Sequence, residues 1–141
     1  MNLQNIDGLD WIRGREAQLF AAGRANPMGI MAYLVADVLE LGKGACHVLR
    51  RGEWWVVSSD VDWMSHPDIP VRSLFERVVP APAHGAHSLR AEVILSAFAQ
   101  DLLTGDAKGE RLVIKGTPPD EAWVQTQLDL RSSKRYVVFE L

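Results

Sequence analysis

The dipeptide Asn26-Pro27 opens the stretch that most constrains this chain: a capping side chain followed by proline at a first helical position. Apolar residues then recur three and four apart at Met28, Met31, Leu34, Val35, Val38 and Leu39, and Ile30 and Leu41 widen the stripe. That spacing predicts a helix over Pro27–Leu41 with a broad face in the core. Gly42 and Gly44 are placed to end it, with Lys43 near the negative end of its dipole. Ala45–Arg51 and Glu53–Ser59 are rich in β-formers and split by Gly52, which predicts an antiparallel hairpin. A core helix feeding a hairpin requires a layer of helices packed on a sheet.

The remaining segments extend that plan. Asn5–Phe20 reads as a short amphipathic start, capped by Asp7 or Gly8, with Leu9, Ile12 and Ala17 inward. Asp60–Ala86, with Pro67, Pro70, Pro80 and Pro82, is irregular apart from a short helix around Ser73–Val78. Leu89, Val93, Ile94, Ala97, Phe98 and Leu102 line one face of a helix expected over Ser88–Leu103, capped by Ser88 and closed by Gly105. Three strands are expected after it, at Glu110–Gly116, Ala122–Leu128 and Lys134–Leu141. The element order does not alternate strand and helix. It predicts one α+β domain over residues 1–141: a two-layer sandwich, with three helices on one face of a mostly antiparallel mixed sheet of about five strands.

Composition narrows the function classes. With 48% hydrophobic and 23% charged residues, the chain is globular and needs no staple to hold a core. Its net charge of -3 and scattered basic pairs give no nucleic-acid footprint. One cysteine, Cys46, forms no internal disulfide and fits a reducing compartment. No apolar run approaches the roughly 20 residues of a membrane span, and no export signal is visible at the start. A cytoplasmic protein is the expectation.

Three segments carry a family resemblance. GLDWIRGREAQLF places Gly8, Leu9, Ile12, Arg13 and Arg15 at the spacing Gly-Leu-x-x-Val/Ile-Arg-x-Arg, ahead of the first long helix. That helix ends in ADVLELGKG and is followed by a hairpin. A later helix then precedes RLVIKG, WVQTQLDL and RYVVFEL. In order and spacing the chain resembles the ATPase domain of DNA gyrase B, of the GHKL superfamily. The resemblance implies a helix carrying Glu-x-x-x-Asn-x-x-Asp, whose glutamate activates water and whose asparagine holds magnesium. Matching Asp37 to the last position puts Ile30 and Leu34 where glutamate and asparagine are required, and neither side chain performs either task. SSDVDWMS stands where the family has Asp-x-Gly-x-Gly: Asp60 or Asp62 supplies a carboxylate, but no glycine follows. APAHGAHS, with Gly85 as its lone glycine, stands in place of the phosphate lid.

Function is therefore expected from a scaffold stripped of ATP hydrolysis. The leading expectation is a non-catalytic GHKL-like binding or regulatory module acting on an unknown protein partner or as a homo-oligomer, without a cofactor. Trp54 and Trp55 are adjacent on a strand and face opposite sides; one enters the core, and the other joins Trp123 on the uncovered face as an interaction patch. A second expectation keeps a residual small-ligand pocket at Asp37, Asp60 and Asp62. A third makes Asp60, Asp62 and His66 a metal site for a hydrolase, with His84 and His87 as further ligands; the alternative is a solvated loop using Asp and Pro as turn chemistry. Cys46 and His47 point to opposite faces of a strand, which excludes a dyad.

Overall fold

The computed structural model describes residues 8–79, 89–106, 108–128 and 133–141. Gly8–Arg13 (α1) and Glu16–Leu19 (α2) precede Pro27–Asp37 (α3), which continues as a π-helical turn over Val38–Gly42. The hairpin of β1 (Cys46–Arg51) and β2 (Trp54–Ser59) follows, then α4 (Val71–Leu74) and α5 (Ala91–Phe98). β3 (Asp101–Asp106), β4 (Arg111–Lys115), α6 (Glu121–Gln127) and β5 (Arg135–Glu140) complete the fold. The strands form one sheet in the order β1-β2-β5-β3-β4, and every pairing is antiparallel. The α+β sandwich with a five-stranded sheet is thus as the sequence predicts.

α3 forms where it was expected, for the expected reason. The Asn26 side chain accepts a hydrogen bond from Gly29 N at 2.8 Å, and Pro27 occupies the first turn. Its inward residues Ile30, Met31 and Leu34 join Val38, Val57, Leu102, Val137 and Phe139 in one core. The helix ends on Lys43, which adopts the left-handed conformation at φ 57°. Ile12 of α1 is fully buried in the same core and Leu9 packs on it, whereas Ala17 is exposed. Phe20 closes the layer by edge-on contacts with Tyr33 and Phe98, at centroid distances of 5.9 and 5.4 Å.

α5 is the middle of the helical layer, with every residue from Ala91 to Ala97 buried. Its expected extension to Leu103 is wrong. Ala99 turns out of the helix, and Asp101–Asp106 is a strand between β5 and β4. Leu102 packs on the helical face and Leu103 on the opposite face. A strand covered on both sides shows no polar alternation, so Leu102 merely continued the helical spacing of α5. Gly105, expected as the helix stop, instead lies opposite Tyr136 in β3, where an added Cβ would collide with the tyrosine ring.

The expected strand Ala122–Leu128 is a helix. Asp120 caps α6 by accepting from Trp123 N at 2.9 Å, and this cap overrides the β-preference of Trp123, Val124 and Thr126. α6 lies on the other face of the sheet, where Val124 packs with Val56, Leu103, Tyr136 and Val138. The two errors cancel in the strand count. The short helix expected around Ser73–Val78 sits earlier, at Val71–Leu74. Asp7, Ser88 and the lid residues Gly85, His84 and His87 lie outside the described residues.

Candidate functional site

α3 and α5 meet in the helical layer, where the expected Glu-x-x-x-Asn-x-x-Asp positions fall on α3. Ile30 and Leu34 are fully buried core side chains there, so the helix offers neither a proton acceptor nor a cation ligand at those positions. Asp37 is 1% exposed and accepts from Ala91 N at 2.6 Å, capping a helix 54 residues away in sequence. Arg90 and Glu92 are buried beside it. Arg90 Nη2 donates to Glu92 Oε1 at 2.6 Å and to Trp63 O at 3.1 Å, while Nε donates to both Glu92 oxygens. Burial pushes the Glu92 carboxyl up and nearby Asp37 adds to that, while Arg90 pulls it back.

The other end of α5 is served by cations. Arg13 Nε donates to Ala97 O at 3.0 Å and Lys115 Nζ to Ser96 O at 3.2 Å. Carboxylates at the positive end and cations at the negative end make α5 a helix whose dipole is answered by distant side chains. Burial, and then the charge of Arg13, pulls the Lys115 ammonium below its ordinary range. Arg15 stacks on Trp11 at 3.8 Å. The arginines of the opening segment are thus used within the fold. Sequence reasoning missed Arg90 and Glu92; the available signal was an Arg-x-Glu pair at the head of an otherwise apolar helix.

The loop carboxylates have separate tasks. Asp60 accepts from Ala45 N at 2.8 Å and closes the base of the hairpin. Asp62 holds the buried Arg135 through two bonds of 2.9 Å and accepts from Met64 N at 3.0 Å. His66 Nδ1 accepts from Asp68 N and Ile69 N, at 3.0 and 3.1 Å, and shapes a turn. Among the described residues no three His, Cys, Asp or Glu side chains are grouped to hold a metal, so Asp60, Asp62 and His66 do not form the expected cluster. A hollow of about 320 Å³ is lined by Asp62, Asp106, Lys108 and Lys134.

The opposite face carries the tryptophans. Trp55 packs against the helical core, and Trp54 faces the other way, 6.5 Å from Trp123. Trp123 reaches that place from α6 and not from a strand. All three rings are half-buried. On the same face Tyr136 lies 3.5 Å from Glu121, and burial, reinforced by that carboxylate, pushes its hydroxyl up to about 12. β1 borders this face and is largely exposed.

α3 has a second surface. Met28 and Leu39 are 65% and 52% exposed on its outer side and that of the π turn, with Ala32 exposed between them. No charged side chain interrupts the segment from Pro27 to Leu39 except buried Asp37. Among the described residues no helix is long and apolar enough to cross a membrane. Compared with known proteins, the chain matches no family model, no curated protein and no solved structure.

Proposed function

We propose that this chain is a non-enzymatic binding or regulatory module that acts through protein contacts in the cytoplasm, on a GHKL-like scaffold that has lost ATP hydrolysis. The observation that carries the reading is α3. Its inner face supplies core residues where the resemblance requires catalytic ones, and its outer face exposes Met28 and Leu39 without a charge between them. An uncharged apolar strip on a helix that already has a core face is the kind of surface that a partner covers. The test is a thermal-shift scan with Mg-ATP and Mg-ADP. A ligand selective for the native state raises the midpoint; none is expected to do so here, and a clear rise with Mg-ATP overturns the reading.

A second reading, a small anionic ligand held without hydrolysis, draws on the hollow beside Asp62, where Lys108 and Lys134 stand at the rim. A nucleotide-dependent rise that disappears in Lys134→Glu would favour it over the first.

A further inference from the structure

β1 is an edge of the sheet, with β2 as its one neighbour among the described residues. An antiparallel edge strand turns alternate N–H and C=O groups outward, ready to pair with another strand. The side chains of this edge are basic: His47, Arg50 and Arg51 are exposed, and Ala45–Gly52 contains no acid. Among the described residues neither Arg50 nor Arg51 has a carboxylate within ion-pair distance. Arg50 Nε donates to Gly52 O, and Arg51 Nη1 to Arg50 O. On a chain of net charge -3, this edge is a local patch of opposite sign. Beside it, on the α6 face, lies a hollow of about 200 Å³ lined by His47, Leu49, Val56, Ser58, Gln127 and Ser133.

We infer that β1 receives an extended acidic segment of a partner protein as a sixth, antiparallel strand. The inference rests on the binding-module reading and names the chemistry of the partner. Backbone pairing supplies the attachment, and alternate side chains supply the selection. Opposite β1, the guest residue facing Leu49 lies over the hollow and is apolar. The two residues before it face Arg50 and Arg51 and are acidic, because opposite charges directly across a pair stabilise it and like charges oppose it. The recognised order is therefore acid, acid, apolar. A second copy of the chain fits badly. Two β1 strands paired antiparallel about Val48 and Leu49 set Arg50 opposite His47 and Arg51 opposite Cys46, with no acid across from either arginine.

Fluorescence anisotropy with the intact protein and a labelled peptide containing Glu-Glu-Val-Thr-Val tests this at low salt. Saturable binding is expected, weakened about tenfold or more in Arg50→Glu/Arg51→Glu, as for close interfacial charge pairs. Both arginines are exposed, though Arg50 also lies 5.2 Å from the Trp55 ring centre, so the variant's unfolding curve is measured alongside and is expected to match that of the unaltered chain. N-methylation of alternate amides in the peptide is expected to abolish binding, and a Lys-Lys-Val-Thr-Val peptide is expected not to bind. No saturable binding, or equal binding by the N-methylated peptide or the charge-swapped variant, overturns the inference. Tighter binding of single-stranded DNA than of the acidic peptide also overturns it. A silent peptide alongside a silent Mg-ATP scan removes this edge and leaves the module reading standing; a rise with Mg-ATP removes the module reading whatever the peptide does.

Discussion

The two faces of the sheet differ in how they use polar groups. On the helical face, beside a large apolar core, charged groups are consumed internally: Asp37 caps α5, Arg90 binds Glu92, and Arg13 and Lys115 cover the helix end. On the other face, among the described residues, the buried core is five residues with one helix, α6, and at the adjoining edge Arg51, on this face, and Arg50, beside Trp55 on the helical face, have no acidic partner. Charge that is fully used within a fold specifies that fold. Charge left at an open edge is available to something else. The difference separates the charges that hold the molecule together from those at the edge where the proposed partner strand would pair.

The largest test of this contrast is Arg90→Ala. It strands Glu92 in the core without its cation, and removal of one member of a buried pair costs about 3–5 kcal/mol. Urea unfolding should show that loss, and Arg90→Met/Glu92→Met should recover much of it. A loss within the range of a surface substitution would show that the pair is not sealed from water. Gly105→Ala should cost about 1–3 kcal/mol, because the added methyl meets both Tyr136 and the backbone carbonyl of Glu110; the same unfolding curves measure it. Asp37→Ala removes the α5 cap and should cost about 1 kcal/mol. A much larger loss of ligand response than of stability in that variant would return Asp37 to a binding role.

Tyr136 gives a smaller and more local test. Its hydroxyl is raised to about 12 in the fold, against about 10 in an unfolded chain. Between those values the unfolded chain has lost its proton and the native one keeps it. The contribution is therefore complete below pH 10 and is lost as pH rises towards 12. Phenolate absorbance should show both tyrosines titrating above the ordinary range, Tyr33 through burial alone, and only the Tyr136 phase should move down in Glu121→Gln. The smallest effect on stability belongs to Met28→Asp/Leu39→Lys, charges that suit the two helix ends. Unfolding should move by no more than about 0.5 kcal/mol, while any concentration-dependent association seen by sedimentation falls. A large destabilisation would mean that the outer side of α3 is already covered within the chain.

How much of this was legible in the sequence depends on how local the cause was. The Asn26-Pro27 cap and the hairpin about Gly52 act within a few residues and appear where the chain predicts them; of the expected α3 stripe Met31, Leu34 and Val38 are buried, whereas Met28 and Leu39, expected in the core, are exposed. β3 was hidden because its burial comes from neighbours distant in sequence, which removes the alternation of a surface strand. α6 was hidden by strand-forming residues, although Pro119-Asp120-Glu121 held a readable helix start. The opposite facing of Trp54 and Trp55 was legible from strand geometry alone. The internal use of Asp60, Asp62 and His66 was not, because their partners include Arg135, Ala45 and the turn amides, which no spacing rule reveals.

α5 has eight residues, too few to hold helical structure alone in water. The groups that satisfy its ends come from Asp37 and Arg13, 54 and 84 residues from their partners in sequence. The β1–β2 hairpin turns through Gly52 and Glu53 and needs no distant help. This asymmetry predicts an order of assembly in which the hairpin and α3 form first and α5 docks once Asp37 and Arg13 are in place. Substitutions in the hairpin should slow folding, whereas Asp37→Ala should chiefly hasten unfolding.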